Sequence, residues 1–317
     1  MRASTALVWA FLLVLPAVLR SADPDGASVA VSDLAWHDAA RNRDIAARVY
    51  APPGPGPFPV IVFSPGLGGS QTGYAYLGKY WAAHGYVSVH LDHPGSDTAA
   101  VLAADGDKLA RMSRILSNPA NLVDRPHDIS FAIDQLEKLD RAPGPWQGRL
   151  DLARLGVAGH SFGAYTTMAV AGETFPGGAR FADPRVKAAV AMSTPGAARG
   201  PMIHGDYGTV RIPVFHFTGT EDKVLPTDVV ADRRLPFDLS PGPGTYLVVF
   251  QGGDHMVFSG RGSVASRPND PAFQREVCRA STAFWDATLK GDAAAKAWLD
   301  DGAFAAELGG LGTFERK

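Results

Sequence analysis

Residues 155–171 read LGVAGHSFGAYTTMAVA. In this stretch a short apolar run leads into the turn GHSFG (159–163), and a second apolar run of helical character follows it. A G-x-S-x-G turn between a strand and a helix is typical of a nucleophile elbow, which holds a serine hydroxyl above the carboxyl end of a sheet. Glycine fits on both sides of the serine because larger side chains would collide with neighbouring backbone. The stretch therefore predicts Ser161 as a nucleophile at a helix N-terminus.

Strand and helix patterns alternate on both sides of this turn. Crossovers of a dozen or more residues join the strands, which predicts an α/β fold with a mostly parallel central sheet covered by helices on both faces. Pro126 predicts the start of a helix, whereas residues 95–124 read as an irregular polar insertion. The other predicted strands are Val29–His37, Arg43–Tyr50, Val60–Phe63, Tyr86–Leu91, Val186–Met192, Val214–Thr218 and Tyr246–Phe250, and the other predicted helices are Tyr74–His84, Ala272–Leu289 and a helical tail over 291–317.

Composition excludes several classes of protein. The chain has 317 residues, of which 46% are hydrophobic, and it contains no clear second domain boundary, so one domain over residues 27–317 is predicted. A net charge of -2 without a basic block argues against a nucleic-acid partner. Cys278 is the only cysteine, which excludes a disulfide within the chain and any multi-cysteine metal site.

The N-terminus predicts a signal peptide over residues 1–22. Arg2 precedes an apolar run from Ala6 to Leu19, and small residues follow it. The run is shorter than the roughly 20 residues that a membrane-spanning helix needs, so no membrane span is predicted. A secreted or periplasmic location follows, and the alternative is an uncleaved hydrophobic arm.

A serine nucleophile needs a histidine base and a carboxylate that orients it. His255 directly follows the last predicted strand and is the predicted base; His216 lies inside a strand and His204 in a glycine-rich loop. Asp222, in the turn of TGTEDKVLP (218–226), is the predicted acid. Glu221 and Asp254 are the competitors for that role.

The glycine-rich loop SPGLGG (64–69) follows the first central strand, where the second half of an oxyanion hole is required. The backbone N–H groups of Leu67 and Phe162 are the predicted oxyanion donors. Tyr74 and Phe258 are candidate substrate contacts, with core packing as the alternative. A metal site at HLDH (90–93) is the weaker interpretation of a buried strand end, so no metal and no cofactor are predicted. Arg125 and Asp128 are predicted to have structural roles at a helix start.

These motifs together resemble the α/β-hydrolase superfamily. More narrowly, the chain resembles bacterial predicted dienelactone hydrolases, platelet-activating-factor acetylhydrolase-like enzymes and polyester-cleaving cutinase-like serine esterases. The matching segments cover most of residues 60–260 and are FSPGLGGS (63–70), LDHPGSD (91–97), RPHDISFAIDQL (125–136), GHSFGAYT (159–166), TGTEDKVLP (218–226) and GGDHMVF (252–258).

Three departures from these relatives bear on the mechanism. Dienelactone hydrolases use a cysteine nucleophile, but position 161 is serine. Acetylhydrolases can carry the acid one strand earlier, where MSTPG (192–196) has no carboxylate, which again favours Asp222. Cutinase-like enzymes often have a C-terminal disulfide, which a single cysteine forbids.

The resemblance and the residues imply a serine carboxylic-ester hydrolase that forms an acyl-enzyme on short-chain, lipid or polyester-type esters. The expected partner is a small-molecule or polymeric ester substrate, and the sequence leaves the oligomeric state open. A serine peptidase or amidase of the same fold is the nearest alternative, and a non-catalytic binding protein is the more distant one.

Overall fold

The computed structural model describes residues 19–22, 28–103, 107–178, 180–195, 205–224, 228–260 and 266–317. Residues 1–18, which make up most of the signal peptide predicted over 1–22, lie outside these ranges, so the signal peptide and export stay predictions. Within the described ranges, no helix is both long enough and apolar enough to cross a bilayer.

The described residues form one ten-stranded sheet in the order β1-β2-β3-β5-β4-β6-β7-β8-β9-β10. The six central strands, β5, β4, β6, β7, β8 and β9, pair in parallel, and the pairs at both edges are antiparallel. The predicted mostly parallel sheet is therefore confirmed. The strands are β1 (Leu19–Ala22), β2 (Ser28–Asp38), β3 (Arg43–Ala51), β4 (Phe58–Ser64), β5 (Val87–Leu91), β6 (Leu150–His160), β7 (Val186–Met192), β8 (Val214–Glu221), β9 (Thr245–Asp254) and β10 (Gly312–Arg316).

Helices cover both faces of this sheet because its central strands are apolar on both sides. In β4, Ile61 and Phe63 pack into one core with α1, α7, α8 and α9, whereas Val60 and Val62 pack into the other with α4 and α5. This alternation follows from the two-residue period of a strand. The helices are α1 (Ala75–Ala83), α2 (Thr98–Ala103), α3 (Lys108–Leu116), α4 (Pro119–Arg141), α5 (Phe162–Ala171), α6 (Leu235–Leu239), α7 (Asp270–Leu289), α8 (Ala293–Asp300) and α9 (Ala303–Leu308).

The helix predicted to start at Pro126 starts seven residues earlier. Asn118 accepts a hydrogen bond from the Ala120 N–H and Pro119 takes the first helical position, which is a favourable helix start. Pro126 then lies inside α4, where it has no N–H to donate to the Leu122 carbonyl. The Tyr165 hydroxyl donates to that carbonyl instead, at 3.2 Å, so the interruption is compensated.

Two further expectations were wrong in detail. The segment 95–124 contains α2 and α3, whose first turns are capped by Asp97 and Asp107, and its polar sequence reflects exposed helices rather than irregular chain. The helical tail ends in a strand, because residues 312–316 pair antiparallel with β9 and cover that edge of the sheet.

Candidate active site

The elbow turn joins β6 to α5 with Ser161 in a strained conformation. Its φ of 56° and ψ of -117° are unusual for a residue other than glycine. A Cβ on Gly159 would lie 2.2 Å from the Gly163 carbonyl oxygen, and a Cβ on Gly163 would lie 1.9 Å from the Ser64 carbonyl oxygen. Both positions therefore require glycine. The turn leaves Ser161 partly exposed at the N-terminus of α5, at the carboxyl end of the parallel strands.

The structure brings Ser161, His255 and Asp222 together, although 94 residues separate the serine from the histidine. The Ser161 Oγ lies 2.8 Å from the His255 Nε2, and the His255 Nδ1 lies 2.7 Å from the Asp222 Oδ1. Because a carboxylate only accepts, the Nδ1–H donates to Asp222, which leaves Nε2 free to accept from the serine hydroxyl. This is the arrangement in which a histidine can act as a base toward a serine.

Asp222 is fully buried at the end of β8 and is held from several sides. The Thr218 hydroxyl donates to its Oδ2 at 2.8 Å, and the Arg233 guanidinium lies 3.5 Å from its Oδ1. Burial alone would raise the pKa of the Asp222 carboxyl, but the neighbouring His255 and Arg233 outweigh it and hold that pKa well below its usual range. Asp222 is therefore ionised, as an orienting carboxylate must be.

The two competing carboxylates point to a different partner. Glu221 is exposed and pairs with Arg267 at 2.6 Å, and Asp254 pairs with the same guanidinium at 3.0 Å. Both carboxylates thus pair with Arg267, whereas Asp222 pairs with the imidazole of His255, so the structure favours Asp222 among the three candidates.

The two predicted oxyanion donors lie on adjacent segments. Phe162 begins α5, and Leu67 lies in the loop after β4, where Gly69 N–H donates to the Gly66 carbonyl and Gly68 N–H to the Ser96 carbonyl. The Leu67 side chain packs against the cluster that contains Phe162. The N–H groups of Leu67 and Phe162 donate to no described residue.

Tyr74 and Phe258, the candidate substrate contacts, are both buried in the main core. The Tyr74 hydroxyl lies 2.8 Å from the Nδ1 of His160, and the Phe258 ring packs 5.8 Å from the same imidazole. Both side chains are thus core residues beside His160, which agrees with the alternative of core packing.

The histidines of the segment HLDH (90–93) are also buried. His90 contacts Ser88 and the Gly73 carbonyl, and His93 contacts Ser64 and Asp128. Both ring nitrogens of each histidine are therefore within hydrogen-bond distance of a protein group. Arg125 and Asp128 lie well inside α4 rather than at its start, so their structural role comes from buried hydrogen bonds and not from the helix dipole.

Sequence reasoning missed three residues around the site: His160, Thr218 and Arg233. His160 bridges Tyr74 and the backbone of His255. Arg233, on a short helix after β8, donates to the Asp222 and Thr194 carbonyl oxygens. His160 and Thr218 lie within the motifs GHSFG (159–163) and TGTEDKVLP (218–226), which could have identified them. Nothing in the sequence around Arg233 indicates its contact with Asp222.

Comparisons with known proteins agree with this architecture. The family model described as "Platelet-activating factor acetylhydrolase, isoform II" matches residues 39–114, which include the loop of Leu67. "Cutinase 2" of Thermobifida cellulosilytica is 24% identical over 189 residues, covering 60% of this chain and 56% of that protein. "Cutinase cut1" of Thermobifida fusca is 24% identical over 189 residues, which cover 60% of this chain and 46% of that protein.

The chain thus spans about half the length of the curated relatives that it matches. The parallel order of the sheet, the strand–turn–helix unit at Ser161 and these matches agree with one another. The chain therefore has an α/β-hydrolase fold and resembles platelet-activating factor acetylhydrolases and cutinases.

Proposed function

We propose that the protein is a serine carboxylic-ester hydrolase that acts through an acyl-enzyme intermediate. The observation that carries the proposal is the continuous hydrogen-bonded set Ser161–His255–Asp222, with distances of 2.8 and 2.7 Å. The serine of this set is partly exposed, and the N–H groups of Leu67 and Phe162 lie on the two segments that flank it.

Acylation begins when the Ser161 Oγ attacks the ester carbonyl carbon and its proton passes to the His255 Nε2. The carbonyl π electrons move to the oxygen, and the Leu67 and Phe162 N–H groups stabilise this oxyanion. Asp222 stabilises the imidazolium and keeps its Nδ1–H directed away from the serine. The carbon–oxygen bond to the alcohol then breaks, and His255 returns its proton to the departing alkoxide.

Deacylation repeats these steps with water as the nucleophile. His255 removes a proton from the water and the hydroxide adds to the acyl carbon. The bond between the acyl carbon and the Ser161 Oγ then breaks, the acid is released, and His255 returns its proton to the Oγ. No step requires a metal ion or an organic cofactor. The substrate classes that we propose are short-chain, lipid and polyester-type esters, and the names of the matched relatives support this choice.

A panel of p-nitrophenyl esters, with a polyester film and a p-nitroanilide beside it, tests the activity. We expect turnover of the activated esters and modification of Ser161 by an organophosphonate, located by mass spectrometry of the peptide that contains residues 155–171. Faster turnover of the anilide than of the matching ester would instead indicate a peptidase. No turnover and no labelling would indicate a non-catalytic protein and would refute the proposal.

A further inference from the structure

A buried chain of hydrogen bonds connects the loop of the predicted oxyanion hole to the predicted catalytic histidine. The Gly66 N–H donates to the Tyr74 hydroxyl oxygen at 3.2 Å, and that hydroxyl lies 2.8 Å from the His160 Nδ1. The other ring nitrogen of His160, Nε2, lies 2.9 Å from the His255 carbonyl oxygen. We call this set, Gly66–Tyr74–His160–His255, the buried relay.

The proton positions along the buried relay follow from its ends. The His255 carbonyl can only accept, so the Nε2 of His160 must carry the proton and donate it. In a neutral imidazole the Nδ1 is then an acceptor, and the Tyr74 hydroxyl donates to it. Tyr74 in turn accepts from the Gly66 N–H. Every donor in the set has a partner, and the direction of each bond is determined.

Burial keeps both side chains of the relay neutral. Burial, together with the adjacent His255, holds the pKa of His160 well below its usual range. Burial also raises the pKa of Tyr74 to about 12. The His160 and His255 ring centroids are 4.8 Å apart, so a neutral His160 adds no repulsion when His255 takes up a proton.

The backbone is adapted to this contact. Tyr74 precedes α1 in a left-handed conformation, with a φ of 58°, which a tyrosine adopts only at a cost. A Cβ on Gly66 would lie 3.2 Å from the Tyr74 hydroxyl and 3.3 Å from the His160 Nδ1. The loop therefore packs tightly against both side chains.

We propose that Tyr74 and His160 are positioning residues, which hold the Leu67 N–H and the His255 imidazole in a fixed relation to Ser161. Gly66 immediately precedes Leu67, His160 immediately precedes Ser161, and the carbonyl at the far end belongs to His255 itself. A displacement of about 1 Å at a reacting group is enough to slow catalysis by a large factor. This inference rests on the proposed function, because it assigns a task within that reaction.

Tyr74→Phe tests the relay because it removes the hydroxyl and keeps the ring. Tyr246→Phe is the matched control, since it removes the hydroxyl of another buried tyrosine, which donates to Asp300 at 2.9 Å in a partly buried contact. Tyr246 lies at the start of β9, so the length of the strand separates it from His255 by roughly 25 Å. We expect Tyr74→Phe to lower kcat roughly 10- to 100-fold with little change in KM, and Tyr246→Phe to change kcat less than about threefold.

A trifluoromethyl ketone supplies a readout that a purely structural role would not change. The Ser161 Oγ adds to its carbonyl carbon, the π electrons move to the oxygen, and the serine proton passes to His255. The adduct therefore depends on the oxyanion donors, whereas the matching methyl ketone reports binding without that step. We expect Tyr74→Phe to raise the inhibition constant of the trifluoromethyl ketone by the same factor by which kcat/KM falls, with methyl-ketone binding unchanged.

His160→Gln and His160→Leu complete the test. The glutamine amide can still donate to the His255 carbonyl, whereas leucine cannot, and the two side chains are similar in size. We expect glutamine to retain at least about ten times the kcat of leucine. Wild-type kcat and inhibition constants in Tyr74→Phe, or equal activity in the two His160 variants, would refute the relay. A wild-type protein that neither reacts with the organophosphonate nor binds the trifluoromethyl ketone would instead refute the proposed function, and the relay with it.

Discussion

The described part of the chain contains two hydrogen-bonded Ser–His–Asp sets of nearly equal geometry. In the first, Ser161, His255 and Asp222 are joined by distances of 2.8 and 2.7 Å. In the second, Ser64 Oγ lies 2.9 Å from His93 Nε2, and His93 Nδ1 lies 2.9 Å from Asp128 Oδ2. We call the second the buried set, and Ser64, His93 and Asp128 are each 0% exposed.

The two sets differ in what surrounds the serine. Ser161 lies in a strained turn, is partly exposed, and precedes a helix whose first N–H is unpaired among the described residues. Ser64 ends a buried strand, and its Oγ also accepts a hydrogen bond from Arg125 at 3.0 Å. Hydrogen-bond distances alone therefore do not identify a nucleophile. Access to substrate and unpaired N–H donors beside the hydroxyl distinguish the two sets.

The buried set also has more cationic partners than the set of Ser161, His255 and Asp222. Arg41 and Arg43 both donate to the Asp128 carboxylate, at 2.7 and 3.0 Å. Arg125 stacks its guanidinium 4.4 Å above the Phe162 ring and donates to the Thr166 hydroxyl. These contacts join β3, α4 and α5, so the buried set connects three elements of the fold.

The largest expected effect separates the two serines. Ser161→Ala is expected to lower kcat on an activated ester by a factor on the order of 10⁴–10⁶, because the covalent route is lost. The free energy of unfolding, measured by urea titration, should change little, since alanine removes only a partly exposed hydroxyl. A variant that retained more than a few per cent of wild-type activity would show that another residue is the nucleophile.

Ser64→Ala is the matched control for that experiment. We expect its kcat to change less than about tenfold, and its free energy of unfolding to fall by about 1–3 kcal/mol, because His93 and Arg125 each lose a buried partner. Organophosphonate label on Ser64, or a folded but inactive Ser64→Ala, would reverse the assignment of the two sets.

A smaller effect on kcat is expected from removal of the charge of Asp222. Asp222→Asn should lower kcat by roughly 10³–10⁴ near neutral pH, because an amide cannot stabilise the imidazolium or select its tautomer. Glu221→Gln, one residue away, should cost less than about tenfold, since that side chain pairs with Arg267. Asp254→Asn is expected to be equally mild. A large loss at Glu221 or Asp254, with little at Asp222, would contradict this placement of the acid.

The proximity of Ser161, His255 and Asp222 can be predicted from the sequence because each of the three lies in a local pattern. Ser161 is marked by its glycines, and His255 and Asp222 each follow a recognisable strand. In an α/β-hydrolase fold the carboxyl ends of parallel strands meet at one edge, so the pattern of strands fixes which residues lie close together. The predicted sheet and the predicted triad neighbours therefore required no long-range information.

The buried set and the buried relay could not be predicted in this way. Ser64, His93 and Asp128 are up to 64 positions apart, and Tyr74 is 86 positions from His160. Their pairing depends on how α1 and α4 pack against the sheet, which side-chain periodicity does not specify. Tyr74 was for this reason interpreted as a substrate contact. Pro126 was interpreted as a helix start, because the Tyr165 hydroxyl that compensates for it lies 43 positions from Leu122.

The last prediction concerns proton uptake by His93, the histidine of the buried set. Burial first, and then the charge of Arg125, lower the pKa of His93 to about 4, from an ordinary value of 6.5. Between these two values the unfolded chain binds a proton that the folded chain does not. The contribution of His93 to the free energy of unfolding is then constant above about pH 6.5. It falls by on the order of 3 kcal/mol as the pH drops toward 4.

His90 and His216 should add to the same trend, because burial lowers the pKa of each to about 3. We therefore expect the free energy of unfolding from urea titrations to be lower at pH 5 than at pH 6, and lower at pH 6 than at pH 7.5. His93→Gln should lower stability at pH 7.5, since it disturbs the bonds to Ser64 and Asp128, but it should also make the dependence on pH shallower. An unchanged pH dependence in this variant would mean that His93 takes up a proton as readily in the folded protein as in the unfolded chain. The buried set would then carry a charge like the imidazolium that the proposed mechanism requires of His255, and the contrast between the two sets would fail.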